Sequence, residues 1–169
     1  SLNLELETLV GIFEGRIVYW DHGEISSQNP SLSLPHEHIV VVDREDDCGV
    51  NSVFTGVLSS LSSNFSSSVG QSSEQPSWCS GRNPHTLSSS SITCKTEWGG
   101  NLTVVSGEGA EGVDGLVKDT NYSIGYSSLL LSPSASLQDS FGNYISPTSD
   151  SVYVAASSEG MRFNSSLEY

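Results

Sequence analysis

The sequence predicts an α/β fold, a mixed sheet flanked by helices, interrupted by a serine-rich insertion stapled by a disulfide. Two junctions carry the class. Four β-branched residues in a row, Ile39-Val40-Val41-Val42, read as a short buried strand. The acidic, glycine-containing turn 43–49 follows, and then Val50, Val53, Phe54, Val57, Leu58 and Leu61 fall at helical spacing. Further on, Leu102-Thr103-Val104-Val105 restart order before 106–117, a glycine turn entering an amphipathic helix. At the first junction Asp46 or Asp47 serves as N-cap, and Gly49 lets the backbone turn tightly. A strand entering a helix this way leaves free N–H groups that suit an anion.

The composition narrows the function. With 169 residues the chain is expected to be one domain with a real core. Its net charge of −14, with six basic residues, argues against nucleic acid and anionic membrane surfaces as partners. Only 15% of residues are charged, and serine supplies much of the polar surface, as in secreted, O-modified or adhesive proteins. No apolar run is long enough to span a bilayer. The chain starts without Met or a signal-like segment and is expected to be a mature or excised piece of something longer.

N-x-[ST] acceptors at Asn64, Asn101, Asn121 and Asn164 point to N-linked glycans and an extracellular location; Asn29-Pro30-Ser31 is excluded by its proline. Of the three cysteines, Cys79 and Cys94 flank a polar segment with little core of its own. A disulfide between them would stabilise it by about 3 kcal/mol. The spacing does not fit zinc. Cys48 is left as a free buried thiol or an intermolecular link.

The remaining elements follow in chain order. Residues 3–7 alternate polar and apolar, as an edge strand does. A short helix at 8–13 leads to Gly15 through Asp21, and 26–34 is a loop. His36 and His38 read as surface residues for want of a third ligand. The insertion, about 62–97, is too polar to be packed core. Residues 106–117 superficially resemble a phosphate-cradling loop, but no Gly-Lys-[Ser/Thr] follows, which rejects a nucleotide P-loop. A strand at 122–126, a hairpin over 137–145 about Phe141-Gly142-Asn143, and a helix at 150–157 complete the chain.

Taken in this order the chain resembles one lobe of the PstS-type phosphate-binding proteins. The matching motifs are Ile12-Phe13-Glu14-Gly15-Arg16-Ile17 with Trp20-Asp21, Asn29-Pro30, Leu34-Pro35 and Ile39 to Arg44. Val53-Phe54-Thr55 with Leu58, then Gly107 to Val113, Ser123-Ile124-Gly125-Tyr126 and Ser146-Pro147-Thr148 continue the family's order. The resemblance implies a PstS-like domain over 8–160, preceded by a strand or linker at 1–7 and followed by a tail at 161–169.

The family's ligand loop runs R-x-D-G-S-G-T. By position, Arg44 matches the phosphate arginine, Asp46 its orienting aspartate and Gly49 the second glycine. Asp47 stands for the first glycine, Cys48 for the serine and Val50 for the threonine. Val50 cannot donate a hydrogen bond, and Cys48 donates weakly. Losing two donors to a desolvated anion costs about 3–6 kcal/mol, and Asp47 adds repulsion. Family members grip phosphate between two lobes, and this chain has sequence for one.

The expected function is therefore a non-catalytic, extracellular, glycosylated building block, structural or adhesive, in which the phosphate loop is vestigial. Self-association through an exposed apolar face or a terminal strand would give filaments where the rotation does not close. The alternative is a phosphate-binding, anion-binding or sensory domain acting through Arg44 and the helix starts at Gly49 and Glu111. Calcium at Glu45, Asp46 and Asp47 is conceivable, but a solvated acidic turn is the plainer reading. No catalytic constellation, cofactor or metal site is expected. A Cys48 thiolate beside Asp46 and Asp47 would be destabilised, the reverse of what a nucleophile needs.

Overall fold

A computed structural model of the chain describes residues 2–70, 76, 78, 91–127, 135–139 and 141–148. In chain order it contains β1 (Asn3–Leu4), α1 (Leu6–Phe13), α2 (Gly23–Gln28), β2 (Val40–Arg44), α3 (Gly49–Leu61) and α4 (Ser63–Ser68). These are followed by β3 (Ile92–Lys95), β4 (Asn101–Gly107), α5 (Gly109–Asp119), β5 (Ser123–Gly125), β6 (Ser136–Gln138) and β7 (Tyr144–Ile145). The expected helix at 150–157 lies outside the described residues, as do Asn164 and the 161–169 tail.

The β-branched run forms the middle of the main sheet, whose order is β3-β4-β2-β5. β2 pairs in parallel with β4 and with β5, placing Val42 beside Val105 and Gly125. β3 runs antiparallel to β4, so the sheet is mixed as expected. The chain passes from β2 through α3 to a neighbour on one side, then from β4 through α5 to the strand on the other side. Right-handed crossovers moving in opposite directions put their helices on opposite faces. The side chains agree with this. Val41 packs in the main core with Leu58 of α3, whereas a Cβ placed on Gly125 would meet Val113 and Val117 of α5 and Val42 of β2. The carboxyl ends of β2 and β4 therefore form a topological switch point, where open α/β sheets leave a crevice.

A smaller sheet, β1-β6-β7, sits beside this layer, with β1 parallel to β6 and the expected hairpin antiparallel. Asn29 explains the Asn-Pro motif. Its Oδ1 accepts from the Asn3 N–H and its Nδ2 donates to the Asn3 carbonyl, both at 2.8 Å, so the side chain stands in for a strand partner of β1. Residues 3–7 are thus only partly strand, because α1 begins at Leu6.

The insertion needs one correction. Among the described residues no pair of cysteines is bridged: Cys48 is a free thiol, and Cys79 lies outside the described residues. The Cys94 Sγ lies 3.9 Å from the Trp78 carbonyl oxygen. The expected bridge between Cys79 and Cys94 involves Cys79 and so lies outside the described residues, while Cys94 itself is disulfide-bonded. The described parts of the insertion are also held by packing and strand pairing. β3 joins the main sheet, and Phe65, Val69, Trp78 and Ile92 are all buried. Trp78 meets Phe13, Phe65 and Tyr126 with ring centroids 5.5, 5.9 and 6.2 Å away. A segment read as too polar for the core thus supplies part of it.

One glycine contact fixes the approach of α5 to the sheet. A Cβ on Gly107 would lie 2.6 Å from the Gly112 carbonyl carbon, a clash with backbone that no side-chain rotation relieves. Gly107→Ala is expected to destabilise the fold by about 1–3 kcal/mol, the usual range for overpacking, read as a lowered urea midpoint. Gly115→Ala, in open space on the same helix, is expected not to lower it.

Candidate functional site

At the switch point β2 ends on Arg44, whose guanidinium is largely withdrawn from solvent. Its Nε and Nη2 each donate to one oxygen of Asp46 at 2.8 Å, a bidentate pair. Asp46 Oδ1 also accepts from the Gly109 N–H at 2.8 Å, the first residue of α5. One carboxylate therefore ties the β2–α3 loop to the start of the next helix. The hydrogen bonds from Arg44, reinforced by the Gly109 N–H against the effect of burial, hold the Asp46 carboxyl down at about 2. The same Asp46 hydrogen bond raises the Arg44 pKa further.

The loop is backed by buried polar groups. Asn51, fully buried in α3, donates through Nδ2 to the Arg44 carbonyl at 3.2 Å and to the Asp46 carbonyl at 3.0 Å. The Tyr126 hydroxyl donates to Asp43 Oδ1 at 2.7 Å and lies 2.9 Å from Asn51 Oδ1. Burial, and then the neighbouring Asp43, push the Tyr126 hydroxyl far above its ordinary pKa, so it stays a donor. The first N–H groups of α3 have no intrahelical acceptor, as at any helix start. Cys48 is its N-cap and makes no side-chain capping bond. The crevice thus offers one guanidinium and two helix N-termini, with one carboxylate already seated among them.

No protein-family model matches the chain. Among curated proteins it is 31% identical over 164 residues to the phosphate-binding protein PstS of Methanocaldococcus jannaschii, covering 93% of this chain and 37% of that protein. It is 30% identical over 162 residues to PstS of Haemophilus influenzae, covering 93% of this chain and 41% of that protein. The chain is homologous to PstS-type phosphate-binding proteins over most of its length. It spans about two fifths of the length of these relatives. A mimivirus protein that carries the name of a serine/threonine-protein kinase/receptor is 27% identical over 164 residues, which make up 9% of its own length. The PstS name describes binding, not catalysis, in agreement with the sequence reading that the chain is no enzyme.

Against this PstS-like frame the predicted site residues divide. Arg44 and Asp46 are brought together. Cys48 is half-buried at the α3 start, and Asp47 and Gly49 are exposed. Gly49 is not in the left-handed region, and a Cβ there would meet nothing within 4 Å, so the turn does not require glycine. Val50 packs against the core. Both Asp46 oxygens are engaged by Arg44 and Gly109, which takes the central carboxylate from the calcium reading. Asn64, Asn101 and Asn121 are exposed. Tyr19 lies between His36 and His38, with centroids 4.5 and 4.2 Å away, and His36 Nδ1 lies 2.9 Å from Asp21 Oδ2. Sequence reasoning missed Asn51, Gly109 and Tyr126. Only the polar Asn51 on the apolar stretch 50–61 was a visible signal.

Asp46 carries a testable acid sensitivity. Its folded pKa lies below the unfolded value, so its contribution is present above about pH 4 and is lost as pH falls towards 2. Asp46→Asn is expected to cost about 1.5–3 kcal/mol at neutral pH and to flatten the dependence of the urea midpoint between pH 4 and 2.

Proposed function

We propose that this chain is an anion-binding lobe that takes phosphate or a similar oxyanion at the β2–β4 switch point, with lower affinity than an intact R-x-D-G-S-G-T loop would give. The observation that carries this reading is the Arg44–Asp46–Gly109 arrangement, which presents a guanidinium and the start of α5 to one crevice. Phosphate binding in the name of the relatives supports it and moves it ahead of the building-block reading. Arg44 would meet the anion, the free N–H groups of α3 would add to it, and Asp46 would hold the guanidinium in its plane. The loss of affinity follows from Cys48 and Asp47. An extracellular setting with N-linked glycans at Asn64, Asn101 and Asn121 is part of the proposal and is supported by their exposure.

Isothermal titration with phosphate checks the reading. Binding that disappears in Arg44→Ala is expected. The pair Asp47→Gly and Cys48→Ser should tighten it by roughly 10- to 100-fold, one recovered donor to a charged group. Absence of binding in both the parent chain and that double variant would defeat the proposal.

A self-associating building block is favoured by one observation. α3 has no charged residue, and Val53, Val57 and Leu61 are 69, 46 and 42% exposed along one face. In that reading light scattering would find concentration-dependent oligomers that Val53→Lys with Val57→Glu returns to monomers. A monomer at all concentrations would remove it.

A further inference from the structure

A second cavity lies at the other end of β4, roughly 20 Å from the crevice by strand rise. It is about 50 Å³ and is bounded by the end of α1, by α4 and by the β3–β4 turn. Its floor includes Trp78, which is 5% exposed and whose indole N–H has no acceptor among the described residues. A buried donor left this way is costly and points to a group that would accept from it. Glu14 also lines the cavity with a side chain 6% exposed. Its two oxygens accept from Arg16 Nε and Ser62 Oγ, leaving further lone-pair sites. Asn64, Lys95 and Glu97 stand around the cavity, and Trp98 is 48% exposed beside it.

We propose that this cavity binds the hydroxyl-bearing edge of a pyranose sugar, with the ring lying on Trp98. The donor set selects the class. Glu14 and Glu97 disfavour an anion, while Lys95 and the Trp78 N–H disfavour a cation. A neutral polyol satisfies all of them, because each hydroxyl both donates and accepts, and its C–H face suits an exposed aromatic ring. The volume suffices, since a cavity of about 10–15 Å³ on this measure already holds one water. The cavity therefore takes a hydroxyl-bearing edge, and the rest of the ring stays on the surface. The sugar has two sources, a glycan on Asn64 of this chain or a glycan carried by another molecule, and the same chemistry serves both.

The test is ¹H–¹⁵N spectroscopy of the 169-residue chain made without glycans, titrated with methyl β-D-glucopyranoside, methyl N-acetyl-β-D-glucosaminide and, separately, tetramethylammonium. Tryptophan-to-phenylalanine variants assign the indole signals. Saturable movement of the Trp78 and Trp98 signals with a glycoside is expected, while Trp20, whose indole donates to the Tyr122 carbonyl, stays fixed. Trp98→Ala should weaken binding about tenfold, and Arg44→Ala should leave it unchanged, which separates this result from that of the anion site. In glycosylated chain, a Trp78 signal already displaced and restored by Asn64→Gln assigns the sugar to this chain's own glycan. Displacement only on adding glycoside assigns it to another molecule. No saturable movement with either glycoside, or movement with tetramethylammonium alone, overturns the proposal.

Discussion

The bidentate bond between Arg44 and Asp46, completed by the Gly109 N–H, is the constraint on which the switch point depends. β2 and β4 lie side by side and send their helices to opposite faces, so two helix N-termini and a guanidinium converge where the strands end. That concentration of positive potential in a half-buried crevice requires a counter-charge. Asp46 supplies it from within the loop, where hydrogen bonds from Arg44 and the Gly109 N–H keep its carboxyl ionised. An incoming anion would find Arg44 already oriented but also already neutralised. Its gain over water would then rest on the α3 start, where Cys48 and Val50 stand in place of hydroxyl donors.

The loop can keep its shape although those donors have changed because other residues set the shape. Asn51 ties two loop carbonyls to the helix behind them, Tyr126 and Asp43 back Asn51, and Gly107 admits the close approach of α5. Gly49 is exposed and forms none of these contacts, and Val50 turns towards the core. The crevice's geometry is therefore carried by side chains other than those of Cys48 and Val50, so in the proposed anion-binding reading substitutions there alter binding without dismantling the crevice.

This division also explains what could be read in the sequence. The run 39–42 and the apolar spacing from Val50 to Leu61 are local patterns, and both elements form where expected. Only the end of α2 falls in the loop expected at 26–34, and its start carries no expectation, because six residues with Ile25 as the buried one show no helical period. Phe65, Val69 and Trp78 were hidden by the serines around them. Their burial depends on Phe13 and Tyr126, which no local window connects to them. The expected disulfide cannot be followed to its partner, because Cys79 lies outside the described residues. Arg44 and Asp46 were legible through family resemblance, whereas Gly109 reaches Asp46 across 63 positions and becomes visible only in three dimensions.

The aromatic cluster places both candidate sites on one support. Tyr126 stacks on Phe54 with centroids 4.0 Å apart, Phe54 meets Phe13 at 4.8 Å, and Phe13 meets Trp78 at 5.5 Å. At one end Tyr126 braces Asp43 and Asn51 behind the anion crevice; at the other Trp78 forms the floor of the second cavity. Contiguous packing of this kind transmits strain but does not by itself couple two ligands, which needs an element with two discrete arrangements. Among the described residues the cluster is a single close-packed body, so its role is to hold both sites rigid. A truncation inside it, at Phe13, would loosen both at once, whereas a change at Arg44 or at Trp98 would stay local to its own end.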